Sequence, residues 1–171
     1  GTDQQGCDVY SLSVFGARPS VAVGVIAAVV TTLIGAVMGL LAGFYGGAVD
    51  SFISRVVDVF YGLPMIVVGI AALSAITLPG IWGVTFVLCV LGWVTAARMV
   101  RAQTIEAKGQ DYTLAARALG ASNSRIMLRH ILPNAIGPSI VVAVISLGVF
   151  IGAEATFSFL GLGIRPPEFS W

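Results

Sequence analysis

Side chains with chemical reactivity are few and far apart in this 171-residue sequence. The single histidine, His130, has no second histidine and no cysteine near it, so no metal ligand set can be assembled around it. Packing or capping at a helix end is the role expected of it. Cys7 lies in a polar N-terminal stretch and Cys89 inside an apolar run, a placement that argues against a disulfide. No paired carboxylates, zinc-type histidine motif or Ser, His and Asp set stands in or near the apolar runs. A Walker-type phosphate loop is also missing from the sequence. Neither an enzyme nor a resident metal is expected. The one acidic residue deep in an apolar run is Glu154, where a charge costs ~2.5–3.5 kcal/mol on insertion scales. It is expected to face protein or water. It is either part of a translocation path or gate, or a carboxyl satisfied by groups such as Thr156 and Ser158.

What must position these residues is set by composition. Hydrophobic residues make up 57% of the chain and charged residues 10%, against roughly a quarter charged in a soluble domain. The apolar residues fall into runs near the ~20 residues needed to cross a bilayer. The expected fold is therefore all-α, a polytopic transmembrane helix bundle forming one domain over 1–171. Four spans are predicted, at 19–47, 56–78, 81–100 and 135–163. In the first, Gly35, Gly39 and Gly43 share a face and let another helix approach closely. Pro64 lies near the start of the second, and Pro79 with Gly80 predicts a tight turn before the third.

Charge sets the orientation. Six of the nine basic residues lie between Arg98 and Arg129, so the polar loop 101–134 is placed on the cytoplasmic side. Alternation puts Asp50 to Arg55 on that same side. The segment 1–18, the Pro79 turn and the stretch 164–171 fall outside, where only Arg18 and Arg165 are basic. The sequence opens on Gly1 and closes soon after Pro166 and Pro167, which reads as an excerpt of a longer chain.

The loop is not a featureless connection. Asp111 is read as an N-cap, followed by Tyr112, Ala115, Ala116 and Leu119 on one narrow apolar face with Arg117 elsewhere. Gly120 is positioned to end this helix in a left-handed cap, and Ser122 or Asn123 to start a second. The second helix is expected to stop at Pro133, with Ile126 and His130 on one face and Arg125 and Arg129 on another. Helices this short need something to pack on. A partner protein is the simplest answer, and the small residues 115, 116, 118 and 121 would let it come close to the backbone.

The stretch AARALGASNSRIMLRHILPN resembles the EAA loop of the membrane subunit of binding-protein-dependent ABC importers. Ala115 and Ala116 match the two alanines of that motif, Gly120 its glycine, and Leu132 and Pro133 its closing pair. Leu114 replaces the motif's Glu and His130 an apolar position. Both departures are shared with the dipeptide, oligopeptide and nickel branch, whose second permease GTDQQGCDVYS, FGARPS and GAEATFSFLGLGIRPPEFSW also resemble. Cys7 stands where that branch usually has Arg.

The resemblance implies a type I permease fold of about six spans, with one before Gly1 and one after Trp171. It implies half of a translocation pathway for peptides in a bacterial inner membrane. Asp111, Ala115, Ala116, Arg117, Leu119, Gly120, Ala121, Arg125, His130, Leu132 and Pro133 would then form the surface that docks a cytoplasmic ATPase. ATP and Mg²⁺ would be bound by that partner and not by this chain. A second homologous permease and an external substrate-binding protein complete the implied assembly.

Two other classes are weighed against it. LAARALGASNSRI also resembles a DNA-binding helix-turn-helix, but apolar spans close in on both sides and leave no basic recognition surface. An ion-coupled transporter or channel would need intramembrane charges or broken helices, for which Glu154 alone is thin support.

Overall fold

The computed structural model describes residues 1, 8–76 and 80–164. The Pro79 turn, Cys7 and the stretch from Arg165 to Trp171 lie outside the described residues. Among the described residues eight α-helices follow one another: α1 (Val9–Tyr45), α2 (Gly47–Tyr61), α3 (Met65–Ala75), α4 (Gly80–Gly92), α5 (Val94–Lys108), α6 (Asp111–Ala118), α7 (Asn123–Ile126) and α8 (Leu132–Phe159). A π-helical turn, Met127–Ile131, joins α7 to α8.

The apolar runs become helices because backbone polar groups in hydrocarbon must be satisfied within the segment. Among the described residues three helical stretches are long and apolar enough to cross a membrane: Val9–Tyr45, Gly80–Lys108 and Asn123–Phe159. A fourth span is made if α2 and α3, bent by 85°, count as one.

Helix bounds differ from the sequence expectation for local physical reasons. The first helix starts at Val9 and not near Pro19. Asp8 caps it, accepting from the Ser11 amide (3.2 Å) and the Ser11 hydroxyl (2.7 Å). Those bonds hold the Asp8 carboxyl below the usual carboxylate range. The run beginning at Val56 is not one straight span. α2 takes in the polar residues from Asp50 and ends at Tyr61, because Pro64 cannot donate the amide that would continue it. Arg98 and Arg101, expected at a span end, lie inside α5, which continues to Lys108. The second loop helix does not stop at Pro133 either. The wide turn at Met127–Ile131 precedes the proline, and the helix runs on to Phe159.

The chain divides into two compact units. One comprises 1–29, 64–92 and 145–171, the other 30–63 and 93–144. In the first, Val23, Ala27, Leu73, Val84, Leu88 and Phe157 form the core. A Cβ on Gly69 would strike the Phe157 ring, so α3 needs glycine there. In the second unit, Gly35, Gly39 and Gly43 of α1 meet α5. A Cβ on Gly39 would lie 2.5 Å from the Ala97 carbonyl oxygen and 2.8 Å from the Arg101 nitrogen. The stripe read from the sequence is thus a close helix contact. Beside it Ile53 and Val57 of α2 pack on Trp93, Val94 and Ala97.

Candidate functional site

The segment from Lys108 to Pro133 belongs wholly to the second unit. α6 is eight residues long and is held at both ends. At its start the Thr113 hydroxyl, fully buried, donates to the Ala107 carbonyl at 2.8 Å and ties α6 to the end of α5. At its finish Gly120 takes φ +79°. The Gly120 amide donates to Arg117 O at 3.0 Å and the Ala121 amide to Ala116 O at 3.1 Å, the paired bonds of a Schellman cap. The left-handed conformation there is why glycine occupies that position.

Beneath α6 lies an apolar floor. Ala116 packs with Ala107, Ile126, Met127, Ile131 and Ala135, joined by Leu40 and Phe44 of α1 and Val100 of α5. Ile126 and Ile131 are completely covered. The Tyr112 hydroxyl accepts from Asn134 Nδ2 at 3.2 Å, which fastens α6 to α8.

The four residues read as one apolar face of α6 do not share one environment. Thr113 and Ala116 are buried, whereas Tyr112, Ala115 and Leu119 are exposed. Three of the four residues read as a single apolar stripe therefore face outward. Leu119 is 89% exposed, and Leu114 joins it at the surface. Thr113 was missed because a hydroxyl does not count in an apolar periodicity, although it supplies the bond that orients the helix.

The remaining residues divide between surface and floor. Asp111, Arg117, Arg125 and Pro133 are exposed, and Ala121, His130 and Leu132 half-buried. Asp111 is the first residue of α6, with Gln110 at the cap position and no side-chain cap bond. Ser122 precedes α7 as its cap residue, again without a side-chain cap bond. The His130 carbonyl accepts from Asn134 Nδ2 at 2.7 Å. Among the described residues Arg117, Arg125 and Arg129 make no ion pair.

Three cations on α5 are committed instead. Arg101 forks onto Asp50 of α2, with Nε to Oδ1 at 2.5 Å and Nη2 to Oδ2 at 2.6 Å. Arg98 reaches Asp58 at 2.8 Å and lies over the Tyr61 ring at 3.9 Å. Lys108 donates to the Phe44 carbonyl at 2.6 Å. A cleft of about 460 Å³ opens between these helices, lined by Gly39, Ile53, Ser54, Asp58, Arg98 and Arg101 among others.

Glu154 is not brought to the loop; it belongs to the first unit. It is 0% exposed, and Ser158 donates its hydroxyl to Oε1 at 2.7 Å. Ser158 in turn accepts from the Ile164 amide at 3.0 Å. Thr156, the other expected partner, bonds to the Gly152 carbonyl. Among the described residues Glu154 Oε2 has no partner.

Fold and loop together define the class: an all-helical, multi-span membrane protein that carries a basic pair of short helices on a packed floor. Comparison with known proteins makes this specific. A family described as "Binding-protein-dependent transport system inner membrane component" matches residues 35–171, and the chain belongs to that family.

The chain is 42% identical over its whole length to the dipeptide transport system permease protein DppC of Bacillus subtilis (strain 168), of which it covers 53%. It is 38% identical to the oligopeptide transport system permease protein OppC of the same strain, covering 56%. It is 40% identical to the glutathione transport system permease protein GsiD of Shigella flexneri serotype 5b, again covering 56%. The chain thus spans about half the length of these curated relatives. A solved amino acid ABC transporter with histidines shares the fold, at TM-score 0.68 and 19% identity, over 91% of this chain and 75% of its own.

Proposed function

We propose that this chain is the core of a transmembrane subunit of an ATP-driven importer of dipeptides or oligopeptides in a bacterial inner membrane. It forms half of the translocation pathway and does no hydrolysis itself. ATP and Mg²⁺ belong to separate cytoplasmic ATPase subunits. A second homologous permease and an extracytoplasmic binding protein complete the assembly. Family membership and the printed activities of the relatives support this reading.

The observation that carries the docking role is the outward face of α6. Tyr112, Leu114, Ala115 and Leu119 stand exposed on a helix that Thr113, Ala116 and Gly120 fix in place. Apolar residues held so rigidly lose little entropy on binding, which favours a protein cleft as their occupant. Arg117 and Arg125 rim the face, with Asp111 at its start. Ala121, His130 and Leu132 act from the support side, and Pro133, exposed, closes the docking surface. Closure of an ATPase dimer would move α6, and the spans would alternate between inward- and outward-open states. Glu154 contributes from inside the first unit, its carboxyl bracing Ser158 and the backbone at Ile164 at a gate.

The test is a detergent pull-down of the full-length chain with Leu119→Arg beside wild type. Wild type is expected to bring down an ATPase whose hydrolysis rises with binding protein and peptide, and the variant to lose it while keeping its melting temperature. An indifferent variant would remove the docking role from α6.

A further inference from the structure

The docking loop explains how a stroke would be received, but not how it would leave α5. We propose that the Asp50–Arg101 fork is the transmission contact of this subunit, making α2 move as one piece with α5 and the loop; the inference rests on the import function proposed above.

The geometry separates this pair from an ordinary surface bridge. Both guanidinium contacts are short and parallel, and Ser54 donates to Asp50 Oδ1 at 3.1 Å from one turn along α2. The side chains are only 38% and 23% exposed. A bidentate, partly desolvated pair fixes both distance and orientation, whereas a single exposed bond fixes neither.

Its position matters equally. Arg101 lies on the same helix as Ala107, whose carbonyl receives Thr113, so fork and docking helix hang on one rigid rod. That rod is also registered against α1, where Gly39 and Gly43 meet its backbone. α2 has no such glycine lock. Its apolar hold on the rod is the patch of Ile53 and Val57 on Trp93, Val94 and Ala97, which resists separation but not sliding. Beside it lies the cleft at Ser54 and Asp58, where packing is missing. Directional force between rod and α2 therefore passes through the charges, Arg101 first and the more exposed Arg98–Asp58 contact second.

The experiment uses the complete transporter in liposomes, with binding protein and peptide, and reads peptide taken up per ATP hydrolysed. Asp50→Asn is expected to keep its ATPase and continued hydrolysis while uptake per ATP falls about tenfold, the factor that loss of one charge-assisted hydrogen bond produces. Arg101→Lys keeps the charge but not the fork and should fall between. The exchanged pair D50R/R101D should recover most of the ratio, which a merely structural defect would not. Wild-type stoichiometry in both single variants would overturn the transmission role. So would an exchanged pair that folds with the wild-type melting temperature but stays uncoupled. A wild-type chain that binds no ATPase would instead overturn the import reading beneath it.

Discussion

Two helices of this chain carry glycines in spans and use them in opposite ways. On α1, Gly35, Gly39 and Gly43 are pressed against α5, and a Cβ at any of them would come within 3 Å of other atoms. On α8, Gly137, Gly148 and Gly152 have nothing within 4 Å of where a Cβ would stand. A glycine in a span therefore does not by itself mean a close helix contact. A small-residue stripe in a sequence marks a surface that can be approached, and only the fold shows which stripe has been.

The contrast is sharpest as a substitution series, read as melting temperature of the purified chain in detergent. Gly39→Ala should do the most harm, about 3 kcal/mol, the upper end of overpacking, because the obstructing atoms are backbone and cannot swing away. Gly120→Ala has open space around it but must take φ +79°, and should cost about 1–2 kcal/mol. Thr113→Val removes one buried hydrogen bond and should cost about 0.5–1.5 kcal/mol, with faster hydrogen exchange confined to α6. Gly152→Ala should reverse the sign and stabilise by about 0.5–1 kcal/mol, since an ordinary helical position gains from losing backbone freedom. A destabilised Gly152→Ala chain, or an unharmed Gly39→Ala chain, would erase the distinction between the two helices.

Much of this was legible from the amino acids. Apolar run length announces the all-helical membrane class, and Gly120 its left-handed cap, because both follow from the chemistry of single residues or contiguous runs. The motif around Ala115, Ala116, Leu132 and Pro133 likewise led to the family that the comparisons show.

What stayed hidden depends on distance along the chain. Asp50 and Arg101 are each visible as charges at the edge of a run, but nothing in 51 residues of separation says that they meet. That Thr113 turns inward from α6 was not read, because a hydroxyl can be buried once it is satisfied on the Ala107 carbonyl. Pro64 was read as a place where a kink is tolerated, but not the 85° bend, because an apolar run looks the same straight or broken.

The π turn at Met127–Ile131 has a consequence for timing along the last helix. Met127, Ile131, Ala135 and Ser139 are buried at intervals of four. A helix of 3.6 residues per turn lets such a row precess about its axis. The widened turn takes up part of that lag, so the loop's floor and the inward side of the span stay in phase. It works as a vernier between two rulers of different pitch. Replacing it by ordinary α turns with the same number of residues would turn everything beyond it by most of one ~100° residue step and carry Ala135 and Ser139 off the floor side.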